Sequence, residues 1–278
     1  MKWIFINNDF VEEGKAVLQA GDMAVQRGYG VFDFFRTRNN KPLFLDDYLD
    51  RFFNSAKEMF IIIPLGREDL KENIYRLMAM NNMPESGIRI TATGGYSADS
   101  YSVAEGNIII QQQPLIQPSE EKFLNGVKVI TYPYMRDLPH IKSINYLMGV
   151  WLQKQLKEKQ LDDVLYFQNN IITEFPRSNV FIVTQDRELV TPAHNVLAGI
   201  TRKKILQLAP DIILTSTRDV LTDELKNATE VFMASTTRRI LPVTEIDGEK
   251  VGDGKPGSIT TRLYKRLLEL EESYLLQE

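Results

Sequence analysis

The chain has 278 residues, 43% of them hydrophobic and 25% charged, with a net charge of −4 and no cysteine. That is the composition of an ordinary soluble globular protein, long enough for one large or two modest cores. It excludes disulfides, thiolate metal sites and cysteine nucleophiles, and without a basic block it gives no case for a nucleic-acid partner.

No apolar run approaches the roughly 18 residues that span a bilayer. The start, Met1-Lys2-Trp3-Ile4-Phe5-Ile6-Asn7, turns polar too soon for a signal peptide, so a cytoplasmic location without a membrane partner is expected. Only two histidines occur, His140 and His194, both beside prolines in expected loops. Zinc sites built on histidine and thiolate cannot be assembled, and no metal is expected. A Ser-His-Asp triad would have to use one of those two loop histidines. The working groups of an enzyme would then be Lys, Tyr, Asp, Glu and Arg, and a borrowed cofactor becomes attractive.

In chain order, Trp3–Ile6, Phe10–Glu12 and Ala16–Leu18 read as short strands separated by turns at Asn7-Asn8 and Gly14. Gly28-Tyr29-Gly30 leads into an aromatic strand to Thr37, with Phe32, Phe34 and Arg36 on one side; these glycines lack the spacing of a dinucleotide loop. The span Asp46–Phe60 predicts a helix with the stripe Leu49, Phe52, Phe53, Ala56 and Phe60, leaving Arg51 and Lys57 off it. A second helix is predicted over Asp69–Asn81, followed by strands Ile88–Thr93 and Asn107–Gln113. The loop between these strands, Gly94–Tyr101, is polar and glycine-rich, as site-lining segments often are. Residues 114–121, with Pro114 and Pro118, read as a linker between a smaller N-terminal α/β domain (1–113) and a larger C-terminal domain (122–278).

Beyond the linker, Gly126–Tyr134 reads as extended. Ile144, Leu147, Met148 and Trp151 then fall at i, i+3, i+4, i+7, the spacing of an amphipathic helix. Lys142 sits just before it. Asp163–Phe167 and Ile171–Thr173 form a predicted hairpin, after which Glu174 ends one strand just before the next, Ser178–Thr184. Each charge is therefore at the end of a regular element; in isolation such groups are more often solvated surface charges. Further on, Gly199-Ile200-Thr201 opens a helix stopped at Pro210, either a plain junction or a phosphate site using the free amides of its first turn. Strand Ile212–Thr215, helix Asp219–Asn227 and strand Glu230–Ala234 lead to Ser235-Thr236-Thr237, a plain turn or a second anion contact. A hairpin over Leu241–Val251 and an amphipathic helix from Gly257 complete the chain.

Four segments together resemble the fold-type IV (class IV) pyridoxal-phosphate-dependent aminotransferase family: Gly28–Arg36 with Arg51; Lys142–Tyr146; Glu174 with Ser178-Asn179-Val180-Phe181; and Gly199–Arg202 with Ser235-Thr236-Thr237. The resemblance runs from about Asp22 into the final helix. It implies an α/β (α+β) fold of two domains with pyridoxal 5'-phosphate at the domain interface, a homodimer, and the exchange of an amino group between an amino acid and a 2-oxo acid. By the same resemblance Lys142 forms the Schiff base and moves the α-proton, for which burial and nearby positive charge must lower its pKa. Glu174 holds the pyridine nitrogen protonated. Arg51 grips the phosphate with Ile200, Thr201, Ser235 and Thr236, and Tyr146 meets the phenolic oxygen. Phe32, Arg36, Arg89, Thr236 and Thr237 face the substrate.

Within the family the pattern is closest to branched-chain aminotransferases acting on L-amino acids. Phe34 stands where aminodeoxychorismate lyases have a threonine, and Gly94 where lyases and D-amino-acid enzymes carry a loop arginine. A pyridoxal-phosphate lyase is the runner-up activity, and a non-enzymatic paralogue the third reading. The chief departure is Phe175-Pro176-Arg177, where relatives have glycine and small hydroxyl residues; it would put Phe175 near the cofactor and Arg177 toward the substrate.

Overall fold

The computed structural model describes residues 2–277. It divides into two compact units: Met1–Ile116 with Ile141–Asn145 and Tyr274–Glu278, and Gln117–His140 with Tyr146–Ser273. The short piece carrying Lys142 thus clusters with the first unit, although it lies 25 residues beyond Ile116 in the chain (141 − 116). The reason is backbone pairing along the aromatic strand, described below.

The first unit contains β1 (Trp3–Ile6), β2 (Asp9–Glu12), α1 (Met23–Arg27), β3 (Gly30–Arg38), β4 (Lys41–Pro42), α2 (Leu45–Glu58), α3 (Arg67–Asn81), β5 (Ser86–Thr93) and β6 (Ile108–Pro114). The strands form a six-stranded sheet in the order β2-β1-β6-β5-β3-β4. Period-two alternation gives β3 two faces. Val31, Asp33, Phe35 and Thr37 lie on one, Phe32, Phe34 and Arg36 on the other. α2 buries Leu45, Tyr48, Leu49, Phe52, Ser55 and Ala56, while α3 buries Leu70, Ile74, Leu77 and Met78. Phe60, expected on the α2 stripe, lies instead beyond the helix end with φ 54° and is 80% exposed, because the left-handed turn there swings it off the helix face. Ala16–Leu18 is not a strand: a 3-10 turn at Glu13–Lys15 precedes irregular chain.

The second unit contains α4 (Glu120–Asn125), β7 (Val127–Pro133), α5 (Leu147–Glu158), β8 (Asp163–Gln168), β9 (Ile171–Ile172), β10 (Glu174–Phe175), β11 (Ser178–Val183), β12 (Glu188–Thr191) and α6 (Ile200–Leu208). It continues with β13 (Leu214–Thr217), β14 (Val220–Leu221), α7 (Thr222–Lys226), β15 (Glu230–Ser235), β16 (Arg239–Ile246), β17 (Glu249–Lys250) and α8 (Ser258–Gln277). Its sheet runs β13-β12-β11-β15-β16-β7-β8-β9-β14, with β10 on β11 and β17 on β16. Ser178–Val183 is buried at every position, so both faces of this strand are covered. Val180 and Ile182 enter one core with Val129, Leu165 and Phe175, and Phe181 enters another with Phe232, Leu263 and Leu267.

Helix α5 turns inward only part of the face its apolar spacing suggests, Met148 packing against the core with Leu152, Leu156 and Tyr166. Gly149, Leu152 and Leu156 are buried, whereas Leu147 is 76% and Trp151 60% exposed. Gly149 permits the close approach: a Cβ there would lie 3.0 Å from the Pro176 Cβ. Among the described residues, no helix is long and apolar enough to cross a membrane.

Candidate functional site

The candidate residues fall into one cluster in each unit. In the first, the segment Ile141–Asn145 runs antiparallel to the start of β3. Phe32 N donates to Lys142 O (3.0 Å), Ile144 N donates to Gly30 O (3.0 Å), and Ser143 bridges Val31. Lys142 N donates to Ser55 Oγ on α2 at 3.3 Å. Gly30 is required at this crossing, since a Cβ would meet Ala92 O at 2.9 Å and Ile144 Cδ1 at 3.0 Å. Backbone contacts on either side thus fix Lys142, and its half-buried ammonium lies 4.7 Å from the centre of the Phe32 ring. The Arg89 guanidinium lies 4.4 Å from the same ring and 5.9 Å from that of Phe34. Both are cation–π distances, so one aromatic ring collects a lysine and an arginine. Arg36 is buried on the same face of β3, and the Phe34 ring lies over Gly87 of β5, where a Cβ would come within 2.1 Å of it.

Arg51 lies on α2 but is no surface charge. Its Nε donates to Asp33 Oδ2 at 2.9 Å and its Nη2 to Asp33 Oδ1 at 2.7 Å, a two-pronged pair with both side chains buried. Such a fork fixes the guanidinium plane, and a guanidinium carries more donors than one carboxylate uses. Sequence reasoning missed Asp33. The available signal was its position: a carboxylate on the Val31–Phe35 face of a strand must find a cation when that face is buried.

In the second unit Glu174 is saturated with donors. Its Oε1 accepts from Arg136 Nε at 2.8 Å, with Arg136 Nη2 also 2.8 Å away; its Oε2 accepts from Leu197 N at 3.0 Å and from Asn179 Nδ2 at 3.5 Å. Arg136 Nη2 also donates to Pro139 O at 2.5 Å. Burial acts against charge on Arg136, but Glu174, Tyr146 and Tyr134 outweigh it and hold its pKa above the usual arginine range. Tyr146 is therefore an electrostatic neighbour of this pair. Arg136 was not foreseen, because it lies in an aperiodic turn that offers no register to read.

Asn179 links the pair to the start of α6. Its Nδ2 donates to Leu197 O at 2.9 Å, and its Oδ1 lies where a Cβ on Gly199 would come within 2.0 Å. Ile200 and Thr201 are the first residues of α6, so their amides have no carbonyl inside the helix. Arg202 ties that turn back to β12, with Nε donating to Thr191 Oγ1 (3.2 Å) and Nη2 to Pro192 O (2.8 Å); burial lowers its pKa, and Glu174 acts the other way. We expect Gly199→Ala to cost about 1–3 kcal/mol and to weaken phosphate binding, because Asn179 must move; urea unfolding and a cofactor titration would read the two effects.

Ser235, Thr236 and Thr237 lie at the β15–β16 turn, where Ser235 pairs with Arg239. Ser235 Oγ is buried and has no hydrogen-bond partner among the described residues. An unpaired buried hydroxyl is costly unless a ligand completes it. With the α6 amides of the same unit it offers donors of the kind that a phosphorylated pyridine requires. Elsewhere the chain offers a guanidinium held by Asp33, a lysine amine and a carboxylate fixed by Arg136, groups whose chemistry suits a phosphate, an aldehyde and a ring nitrogen. The residues fit that group.

Two expectations change. Phe175 points into the core of the second unit and is fully buried there, because it alternates with Glu174 along β10. Pro176 packs on Gly149, and Arg177 is exposed at the tip of the β10–β11 turn. The bulk of Phe175 is therefore absorbed by the core.

Comparison with known proteins agrees with this chemistry. The chain is 32% identical over 273 residues to the D-alanine aminotransferase of Bacillus licheniformis, covering 96% of each protein. It is likewise 32% identical over 270 residues to that of Staphylococcus epidermidis, covering 95% of each. The T.th. branched-chain amino acid aminotransferase with pyridoxamine 5'-phosphate superposes with a TM-score of 0.91 at 25% identity, over 98% of this chain and 95% of that one. The Escherichia coli branched-chain enzyme gives a TM-score of 0.86 at 23% identity, over 97% and 94%. The model of the family described as amino-transferase class IV matches residues 30–246, a span running from the first residue of the aromatic strand to the last of β16 and taking in Lys142, Glu174 and the Ser235–Thr237 turn. The chain belongs to the class IV aminotransferases and is a pyridoxal-phosphate-dependent aminotransferase.

Proposed function

We propose that the chain moves an amino group between a small D-amino acid of the alanine type and a 2-oxo acid. The observation that carries the reading is the grouping of Lys142 and Arg89 on Phe32, which sets a nucleophilic amine beside a cation suited to a substrate carboxylate. Pyridoxal phosphate, when bound, supplies the electron sink that lets an α-proton leave. Around it, Lys142 would attach the ring and carry the proton. Glu174, held by Arg136, would meet the ring nitrogen, and Tyr146 the phenolic oxygen. Arg51, Ile200, Thr201, Ser235 and Thr236 would hold the phosphate. Arg89 and Arg36, with the Thr236–Thr237 amides, take the carboxylate, and Phe32 and Phe34 bound the side-chain space. Arg177, at its exposed turn, would meet a substrate only from the rim. The handedness rests on the D-alanine aminotransferase relatives, whose similarity extends over nearly the whole chain.

The second reading, an L-branched-chain enzyme, is favoured by the apolar Phe32–Phe34 face and by Gly94 in place of a loop arginine. A homodimer is proposed in either case. Its support is the exposed apolar row Leu147, Val150 and Trp151 on α5, spaced at i, i+3, i+4 and suited to a second copy. Rapid mixing of the yellow holoenzyme with single amino acids tests the choice. D-Alanine should shift the cofactor absorbance and yield pyruvate, with a new amino acid formed on adding a 2-oxo acid. Bleaching by L-leucine and not by D-alanine would establish the second reading instead. Turnover without any oxo-acid acceptor would point to a lyase.

A further inference from the structure

The loop between β15 and β16 is only three residues, Thr236, Thr237 and Arg238, because Ser235 pairs directly with Arg239. Arg239 has φ 53°, a left-handed conformation that a long side chain rarely adopts. Two consecutive arginines leave this loop for different elements. Arg238 Nη1 donates to Asp163 Oδ2 on β8 at 2.5 Å, and also lies 3.3 Å from Ser178 Oγ and 2.8 Å from Met233 Sδ. Arg239 Nε donates to Glu271 Oε2 on α8 at 2.9 Å. All four charged side chains are at least about five-sixths buried, with exposures of 13% and 4% in one pair and 14% and 3% in the other.

Buried ion pairs contribute little net stability against apolar replacements of the same shape, and their best-attested use is to fix a register. Here both arginines directly follow the two threonines proposed above for the phosphate and the substrate carboxylate. We propose that Arg238 with Asp163 and Arg239 with Glu271 are positioning residues that hold the Thr236–Thr237 amides at the height and angle an anion needs. The inference rests on the reading that this turn meets an anion. The two pairs have a second consequence. Each arginine charge is cancelled locally, so the turn selects its anion by directed N–H groups and not by a diffuse positive field. Anion binding at the turn should accordingly depend on loop geometry more than on ionic strength.

Glu271→Gln keeps the shape and removes the charge, and Arg239→Gly removes the arm while relieving the left-handed backbone. With the holoenzyme, either variant should lower kcat/KM about ten- to a hundredfold, mainly through KM for the amino donor. With the apoprotein, each should weaken uptake of pyridoxal phosphate, followed by tryptophan fluorescence. Arg239→Gly should lower the thermal midpoint because it strands the buried Glu271 carboxylate, and Arg239→Lys should recover part of both the midpoint and the KM loss. Unchanged KM and cofactor uptake in both variants, whatever happens to the midpoint, would overturn the positioning role. Thr236→Val separates this outcome from failure of the underlying reading. If it weakens cofactor uptake while Glu271→Gln does not, only the brace fails. If it too leaves uptake and KM unchanged, the turn does not bind the anion, and both ideas fall.

Discussion

Lys142→Ala will give a colourless protein whose kcat/KM for aminotransfer is lower by at least about 10³-fold, since it loses both covalent attachment and a positioned proton carrier. The fold should survive. What anchors this segment is backbone: Phe32 N to Lys142 O, Ile144 N to Gly30 O, and Lys142 N to Ser55 Oγ. Alanine preserves all three, and the lost side chain is only half-buried, so the thermal midpoint should move little. Borohydride reduction of the parent holoenzyme should place one pyridoxyl adduct, found by mass spectrometry, on the peptide containing Lys142. Trapping on another lysine, or a Lys142→Ala protein that stays yellow and turns over, would refute the assignment.

Arg136→Met should have the second largest effect, and mainly on stability. It leaves Glu174 buried without its guanidinium partner, while the Leu197 amide and Asn179 continue to donate to it. Breaking one side of a buried pair costs roughly 3–5 kcal/mol; the surviving donors put this case near the lower figure. Glu174→Gln combined with Arg136→Met should recover much of the loss, because the stranded charge is gone, and denaturant titrations of the two single variants and the double variant would measure the coupling. The double variant should nevertheless transaminate poorly, since a neutral amide does not hold the ring nitrogen protonated. Equal stability of parent and Arg136→Met would remove the pair from the description of the site.

The two cases differ in how visible they were beforehand. Lys142 and Glu174 sit in stretches of ordered motif, and a motif is a local property of the chain. Arg136 belongs to an irregular turn, and its pairing with Glu174 spans a sequence separation of 38 residues. Nothing periodic connects such positions. Asp33 and Arg51 are intermediate. Alternation along β3 marks Asp33 as inward-facing, yet only the packing of α2 on that face supplies the partner.

The amino-acid sequence by itself determined the main elements and the motifs that identify a pyridoxal-phosphate chemistry. Those features depend on period, turn residues and short-range order, all written along the backbone. It also proposed an inward stripe on α5 of which the fold keeps Met148 inward and turns Leu147 and Trp151 outward, since helical spacing defines a face without saying what the face meets. The tertiary structure alone decided where the departure Phe175-Pro176-Arg177 points: one ring into the core, one proline onto Gly149, and one arginine outward. It alone supplied the ionic partners of Glu174, Arg51, Arg238 and Arg239. The physical reason is common to all of these. Buried charge requires a counter-charge at hydrogen-bond distance, and folding finds it among residues far apart in the chain.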